Sequence, residues 1–273
     1  MCIEIFLGTT NGSQDTYNNV CQAIQWCSPD IHTLSYEQMW RKLVDLTGVI
    51  PVMTDMCFNS CVAFTGLFSE LRACPECSSA WYETVTQGNK HVSVPCKQVL
   101  TIPVGPQIQA QYWSCEGTWN MGHRVCIMEP LLANLWAGSS IETYDNVYCS
   151  STLINTARHG DLTSNNVILM LSVDGAQLYQ SKQSDCWIYI WVLLDLTPDL
   201  CYKKKYVLPG SFIPGPNKLK NLNSFMYTGL HHLVALQRDS LCIWDSLTGC
   251  IYTLRPYFFL GTADGPGLLC FID

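Results

Sequence analysis

The 273-residue chain is 48% hydrophobic and 14% charged, which supplies a sizeable core for one large domain or two smaller ones and excludes a disordered chain. Its net charge of −7 weighs against a general nucleic-acid binder. Its longest apolar stretch, CWIYIWVLLDL (186–196), falls far below the roughly 20 residues of a membrane span and reads as a buried strand.

The opening MCIEIFLGTTNGSQ lacks the basic start and long apolar run of a signal peptide, so an intracellular protein is expected. Its sixteen cysteines are then expected as thiols, most of them small buried hydrophobes. The charge is uneven. The first 150 residues hold 6 Lys and Arg against 13 Asp and Glu, and the remainder hold 9 of each. The only basic run, KKKYVLPGSFIPGPNKLK (203–220), reads either as a solvated loop or as a phosphate contact.

In chain order, SYEQMWRKLVDLTGVIP (35–51) predicts a helix. Ser35 and Gln38 make a capping box, Tyr36, Met39, Trp40, Leu43, Val44 and Leu46 an apolar stripe, and Gly48 and Pro51 the stop. A cysteine-rich stretch follows. Three prolines in 94–113 deny that segment a long element at its start. MEPLLANLW (128–136) predicts a short helix with Pro130 in its first turn. The polar residues 137–164 read as an irregular boundary. Strands are expected at 166–173, 186–196 and about 204–213, a helix at 221–244, and a last strand at 256–267. Three strands, a helix and a further strand make an α/β pattern.

Two groups of residues carry chemistry. Cys57-x3-Cys61 and Cys74-x2-Cys77 are two close pairs across a twelve-residue gap. Such spacing lets four thiolates meet on one structural zinc ion, which would replace core in a small lobe. His123 and Cys126 are a further pair that would extend a metal site, although an isolated pair is more often surface and core. His231 and His232 are adjacent on the expected helix and cannot both face one site.

The second group is acidic. Asp174 ends the first strand of the second half and Asp264 ends the last, each followed by glycine. In an RNase H-like sheet the strand after the helix lies beside the first strand, so the two tips would be neighbours. Carboxylates so placed repel unless a divalent cation sits between them, and oxygen ligands suit Mg²⁺ or Mn²⁺. Each Asp-Gly is equally a plain turn, and the element order leaves both readings open.

These residues also carry a family resemblance. MTDMCFNSCVAFTG, CPECSSAWY, TIPVGPQIQA, SVDGAQLYQSKQSDCWIYIW, YKKKYVLPGSFIPGPNKLKNLNSF, GLHHLVALQ and GTADGPG, in that order, resemble transposases of the CACTA (En/Spm) type, above all the group of mushroom-forming fungi. The resemblance spans about 16–267. It implies an RNase H-like nuclease in which three acids hold two Mg²⁺ or Mn²⁺ ions, with Asp174 and Asp264 as the first two and Cys57, Cys61, Cys74 and Cys77 as a zinc-ribbon-like module. It also implies a nuclear protein that cuts transposon ends and joins them to target DNA.

There are departures. The family's third acid is a glutamate well beyond the second, and no glutamate follows Asp264; a downstream Cys pair is also missing, and Cys96 stands where a basic residue is common. The expectation is therefore a truncated, catalytically incomplete copy. It comprises a helical segment (1–56), a zinc-ribbon-like module and linker (57–136), and the first part of an RNase H-like mixed sheet (165–273). An incomplete sheet would leave apolar strands such as 186–196 uncovered and the protein poorly soluble. The alternative is a non-catalytic, zinc-dependent remnant that binds DNA or a protein such as an intact transposase.

Overall fold

Local chemistry sets the first three helices. Ser13 accepts a hydrogen bond from the Thr16 N–H at the start of a helix, and the expected capping box of Ser35 and Gln38 opens another. Gly48 ends the latter in the left-handed region at φ 66°, which costs glycine least. The helices are α1 (Cys2–Gly8), α2 (Gln14–Cys27) and α3 (Tyr36–Thr47). They bury Phe6, Tyr17, Cys21 and Met39 in a core of their own. The predicted stripe on α3 is used in part: Met39 is buried, whereas Trp40 and Leu46 are exposed.

The computed structural model describes residues 1–88, 90–177, 185–215, 217 and 219–263. The chain divides into two units, Met1–Ile50 and Pro51–Asp273. The second is a mixed α/β unit. Its elements are β1 (Val52–Asp55), β2 (Tyr82–Gln87), β3 (Lys90–Pro95), β4 (Gln98–Thr101), α4 (Val104–Gln111), α5 (Cys115–Met121), α6 (His123–Trp136), α7 (Ser151–Arg158), β5 (Asn166–Gln177), β6 (Asp185–Leu193), β7 (Leu208–Pro214), α8 (Leu222–Asp239), β8 (Leu241–Asp245) and β9 (Cys250–Ala263).

Seven strands form one sheet in the order β1-β4-β7-β6-β5-β9-β8, and β2 and β3 pair as a separate ribbon. β5, β6 and β7 are an antiparallel meander, and β9 lies parallel to β5 on its other side. At its start β5 is buried on both faces, through Val167, Ile168 and Leu169. Alternation then sets in: Leu171 and Val173 remain buried, Met170 and Ser172 are half-buried, and Asp174 is exposed.

The registers explain this change. One row across the sheet runs Thr101, Ser211, Tyr189, Val173 and Ala263. Its Tyr189 lies under α8, against Gly229. The next row runs Met53, Leu100, Phe212, Ile188 and Asp174 on the opposite face. There Met53 and Phe212 are exposed, and Leu100 and Ile188 half-buried.

Several expected elements are corrected. The short helix at 128–136 starts earlier, at His123, so Pro130 lies inside it rather than in its first turn. Residues 137–164 are not irregular throughout: they contain α7 and the buried Tyr148, Leu153 and Ile154. The strand expected from 204 starts at Leu208. The helix expected to 244 ends at Asp239 and gives way to β8. Positions 264–267 of the expected last strand lie outside the described residues.

The stretch 186–196 is not left uncovered. β6 sits between β5 and β7, and Trp187, Tyr189, Trp191, Val192, Leu193, Leu194 and Leu196 are all buried. Beyond it, Asp195 receives the Arg124 Nε–H of α6 at 2.6 Å and the Ile168 N–H at 2.6 Å. Arg124 Nη2 also donates to the carbonyls of Thr163 and Asn166 at 3.1 and 2.6 Å. This fully buried pair pins α6 to the start of β5. Among the described residues no helix is long and apolar enough to cross a membrane.

Candidate metal centre

Each cysteine pair sits on a tight loop of the same length. The Cys57 N–H donates to the Val62 carbonyl and the Cys74 N–H to the Ser79 carbonyl, both at 2.9 Å and both five residues apart. Antiparallel bridges follow on either side, Met56 to Ala63 and Ala73 to Ala80. The loops differ in where the chain turns. In the first, Ser60 takes a left-handed conformation (φ 59°) and its N–H returns to the Cys57 carbonyl; in the second, Ser78 (φ 58°) returns to Cys74. The second cysteine follows the turning residue in one loop and precedes it in the other. That is why an x3 and an x2 spacing both bring their second thiol into the same cluster.

The four sulfur atoms lie within 4.8 Å of one another, and Cys57 Sγ and Cys77 Sγ are 3.5 Å apart. A tetrahedral zinc with Zn–S bonds of about 2.3 Å sets its sulfurs roughly 3.8 Å apart, whereas a disulfide needs about 2.05 Å. All described cysteines are free thiols. Cys57, Cys61 and Cys74 are buried and pack with Val62 and Phe64, while Cys77 is at the surface. Phe64 stacks on Trp81 at 4.1 Å, and Trp81 donates its Nε1–H to Asp55 Oδ2 at 2.9 Å.

Burial pushes the Cys74 thiol up to about 11 and raises Cys61 further, helped by the neighbouring sulfurs. Cys77 is lowered to about 6, because the Ser79 hydroxyl and the Asn59 amide stabilise its thiolate. Buried thiols crowded in this way resist losing their protons unless a cation compensates. Four soft ligands at tetrahedral spacing therefore fit one zinc ion with a closed shell. A metal held by all four thiolates would be structural, with no ligand position left for a substrate.

This centre is wired into the sheet. Ser60 Oγ donates to the Pro214 carbonyl at the end of β7 (2.9 Å), and the Asn221 N–H donates to the Cys61 carbonyl at 3.0 Å. The Ala63 N–H donates to Ser224 Oγ in the first turn of α8 at 2.9 Å. The loops thus hold the β7–α8 connection.

The other candidates separate. His123 and Cys126 do not join the cysteine cluster. His231 stacks on Tyr227, and His232 Nε2 accepts the Gly105 N–H at 3.2 Å. The basic run is divided between the two ends of the sheet. Lys203 and Lys205 lie in the β6–β7 connection and face Asp199 and Glu116 at 4.0 and 3.5 Å. Lys220 lies in the β7–α8 connection, at the same end of the sheet as Asp174.

Asp174 is exposed on β5, and Asp264 lies outside the described residues. The residues just before them, Val173 and Ala263, are register partners in the parallel pair. Two roles escaped the sequence: Ser60 as the turning residue and Lys97 beside the first loop. The side chains of both reach partners far along the chain, Ser60 to Pro214 and Lys97 to Phe58, Ser60 and Gly215, which no local spacing announces. A scan of protein-family models finds none that matches the chain, and a search of curated proteins finds no match either.

Proposed function

We propose that this chain is a transposase-derived protein of the CACTA type, built on an RNase H-like sheet braced by a zinc centre. The observation that carries the reading is the parallel pairing of Val173 with Ala263, next to Asp174 and Asp264 in sequence. The strand order β7-β6-β5-β9, with α8 between β7 and the β8–β9 hairpin, supports it. In this reading Asp174 and Asp264 share one Mg²⁺ or Mn²⁺ ion, in a nuclear protein whose partners are DNA and further copies of a transposase. Two-metal cleavage of a phosphodiester needs more carboxylates than this pair. The 273 residues alone therefore bind the ion but leave DNA intact.

Titration with Mn²⁺, followed by electron paramagnetic resonance, tests the proposal. One ion should bind, and Asp174→Asn and Asp264→Asn should each weaken it at least about tenfold. Unchanged binding in both variants would sink the acid pair, and brisk Mg²⁺-dependent nicking of plasmid DNA would sink the incompleteness. A second reading, a non-catalytic zinc-dependent binding protein, draws on the four thiols, which lie together among the described residues. It expects Cys74→Ser to abolish DNA or protein binding and Asp174→Asn to leave it unchanged.

A further inference from the structure

A zinc ion bound by four thiolates carries a net charge of about −2, and holding that charge away from water is costly unless a cation lies close. Lys97 is placed to supply one. It precedes β4 and is half-buried, and its ammonium donates to the Phe58 carbonyl at 3.3 Å, to Ser60 Oγ at 3.1 Å and to the Gly215 carbonyl. All three of its hydrogens are thus directed at the Cys57–Cys61 loop and the end of β7. Its own carbonyl accepts the Met56 N–H at 2.9 Å, next to the first ligand.

Among the described residues no carboxylate lies within 4.0 Å of the Lys97 ammonium. Burial pulls the Lys97 ammonium below its ordinary value, and negative charge at Cys57 would work against that. A lysine sunk against carbonyls with no carboxylate partner is unfavourable by itself. Beside a tetrathiolate centre the same placement becomes favourable, because each charge offsets the other's loss of water.

We infer that Lys97 is the charge partner of the metal centre: it sets the affinity for zinc through its positive charge, and it clamps the Cys57–Cys61 loop to the end of β7. The inference rests on zinc occupying the four-cysteine site, and the experiment keeps the two apart. The purified full chain is assayed for zinc by elemental analysis and for affinity by competition with a chromophoric chelator. Lys97→Gln retains hydrogen bonding to the carbonyls without the charge, Lys97→Met removes both, and Lys97→Arg keeps the charge.

The wild type should hold one zinc. Lys97→Gln and Lys97→Met should each lose about 10–100-fold in affinity, and Lys97→Arg should recover most of the loss. The pH of half-release on acid titration should rise in Lys97→Gln. A wild type without zinc overturns the metal centre itself. A zinc-loaded wild type whose affinity is matched by Lys97→Gln, even at a lower melting temperature, overturns the charge role alone and leaves a plain structural lysine. Should Lys97→Met fail to fold, the Lys97→Gln affinity and half-release pH decide the matter.

Discussion

Arg124 and Asp195 meet at 2.6 Å with side chains almost wholly out of water. Burial raises the Asp195 carboxyl, and the guanidinium and the Ile168 N–H pull it back. Removing one partner strands the other. Arg124→Met should therefore cost about 3–5 kcal/mol in urea unfolding, and adding Asp195→Leu should restore part of the loss. His232 gives the pH counterpart. Burial, with His231 next to it, holds its pKa below the ordinary 6.5, and only a neutral ring can accept the Gly105 N–H. The unfolded chain then takes up the proton more readily. The contribution of His232 is complete above about pH 6.5 and shrinks as pH falls. Stability measured from pH 7 to 5 should decline less steeply in His232→Gln. None of these partnerships was visible in sequence. Arg124 and Asp195 are 71 positions apart, and no spacing rule links a helix residue to the residue after a strand. The cysteines were visible because each pair is local, with its loop geometry set within a few residues.

At the level of elements, what could be read depended on punctuation. α3 carries its start and stop in its own residues, Ser35, Gln38 and Gly48, and the structure follows them. α8 carries no such stop. The break falls at Ser240, which adopts φ 67° without being a glycine, and Leu241 and Ile243 prolonged the apolar pattern although they belong to a strand. The packing of α8 on β6 yields a sharp test. A Cβ on Gly229 would lie 2.3 Å from the Tyr189 hydroxyl but 3.3 Å from its ring carbon Cζ. Gly229→Ala should destabilise by about 1–3 kcal/mol through overpacking. Tyr189→Phe should remove most of that penalty in the double variant. Among the described residues the buried Tyr189 hydroxyl meets no hydrogen-bond partner at bonding geometry, with the Thr101 hydroxyl near it, so Tyr189→Phe alone should be neutral or mildly stabilising in thermal unfolding.

Across the second unit, the cysteine loops and the sheet form one structure. The sequence suggested a cysteine module followed by a separate sheet, because the strands that join them, β1 and β4, are four residues each and carry little pattern. Chelation should therefore unsettle more than the cysteine loops. Stripping zinc from the full chain should lower the main melting transition by several degrees. It should also speed hydrogen exchange at the first turn of α8, where Ser224 meets Ala63.

The strand order also has a consequence for biosynthesis. β4 pairs with β7 through Leu100 and Phe212, so the partner of this early edge leaves the ribosome on the order of 10 s later at about 5–20 residues per second. Throughout that interval β4 offers open backbone groups to any neighbouring nascent chain. The cysteine loops, complete once Cys77 emerges, close before β7 exists. A metal ion taken up by the four thiols at that stage would brace the early edge while it waits.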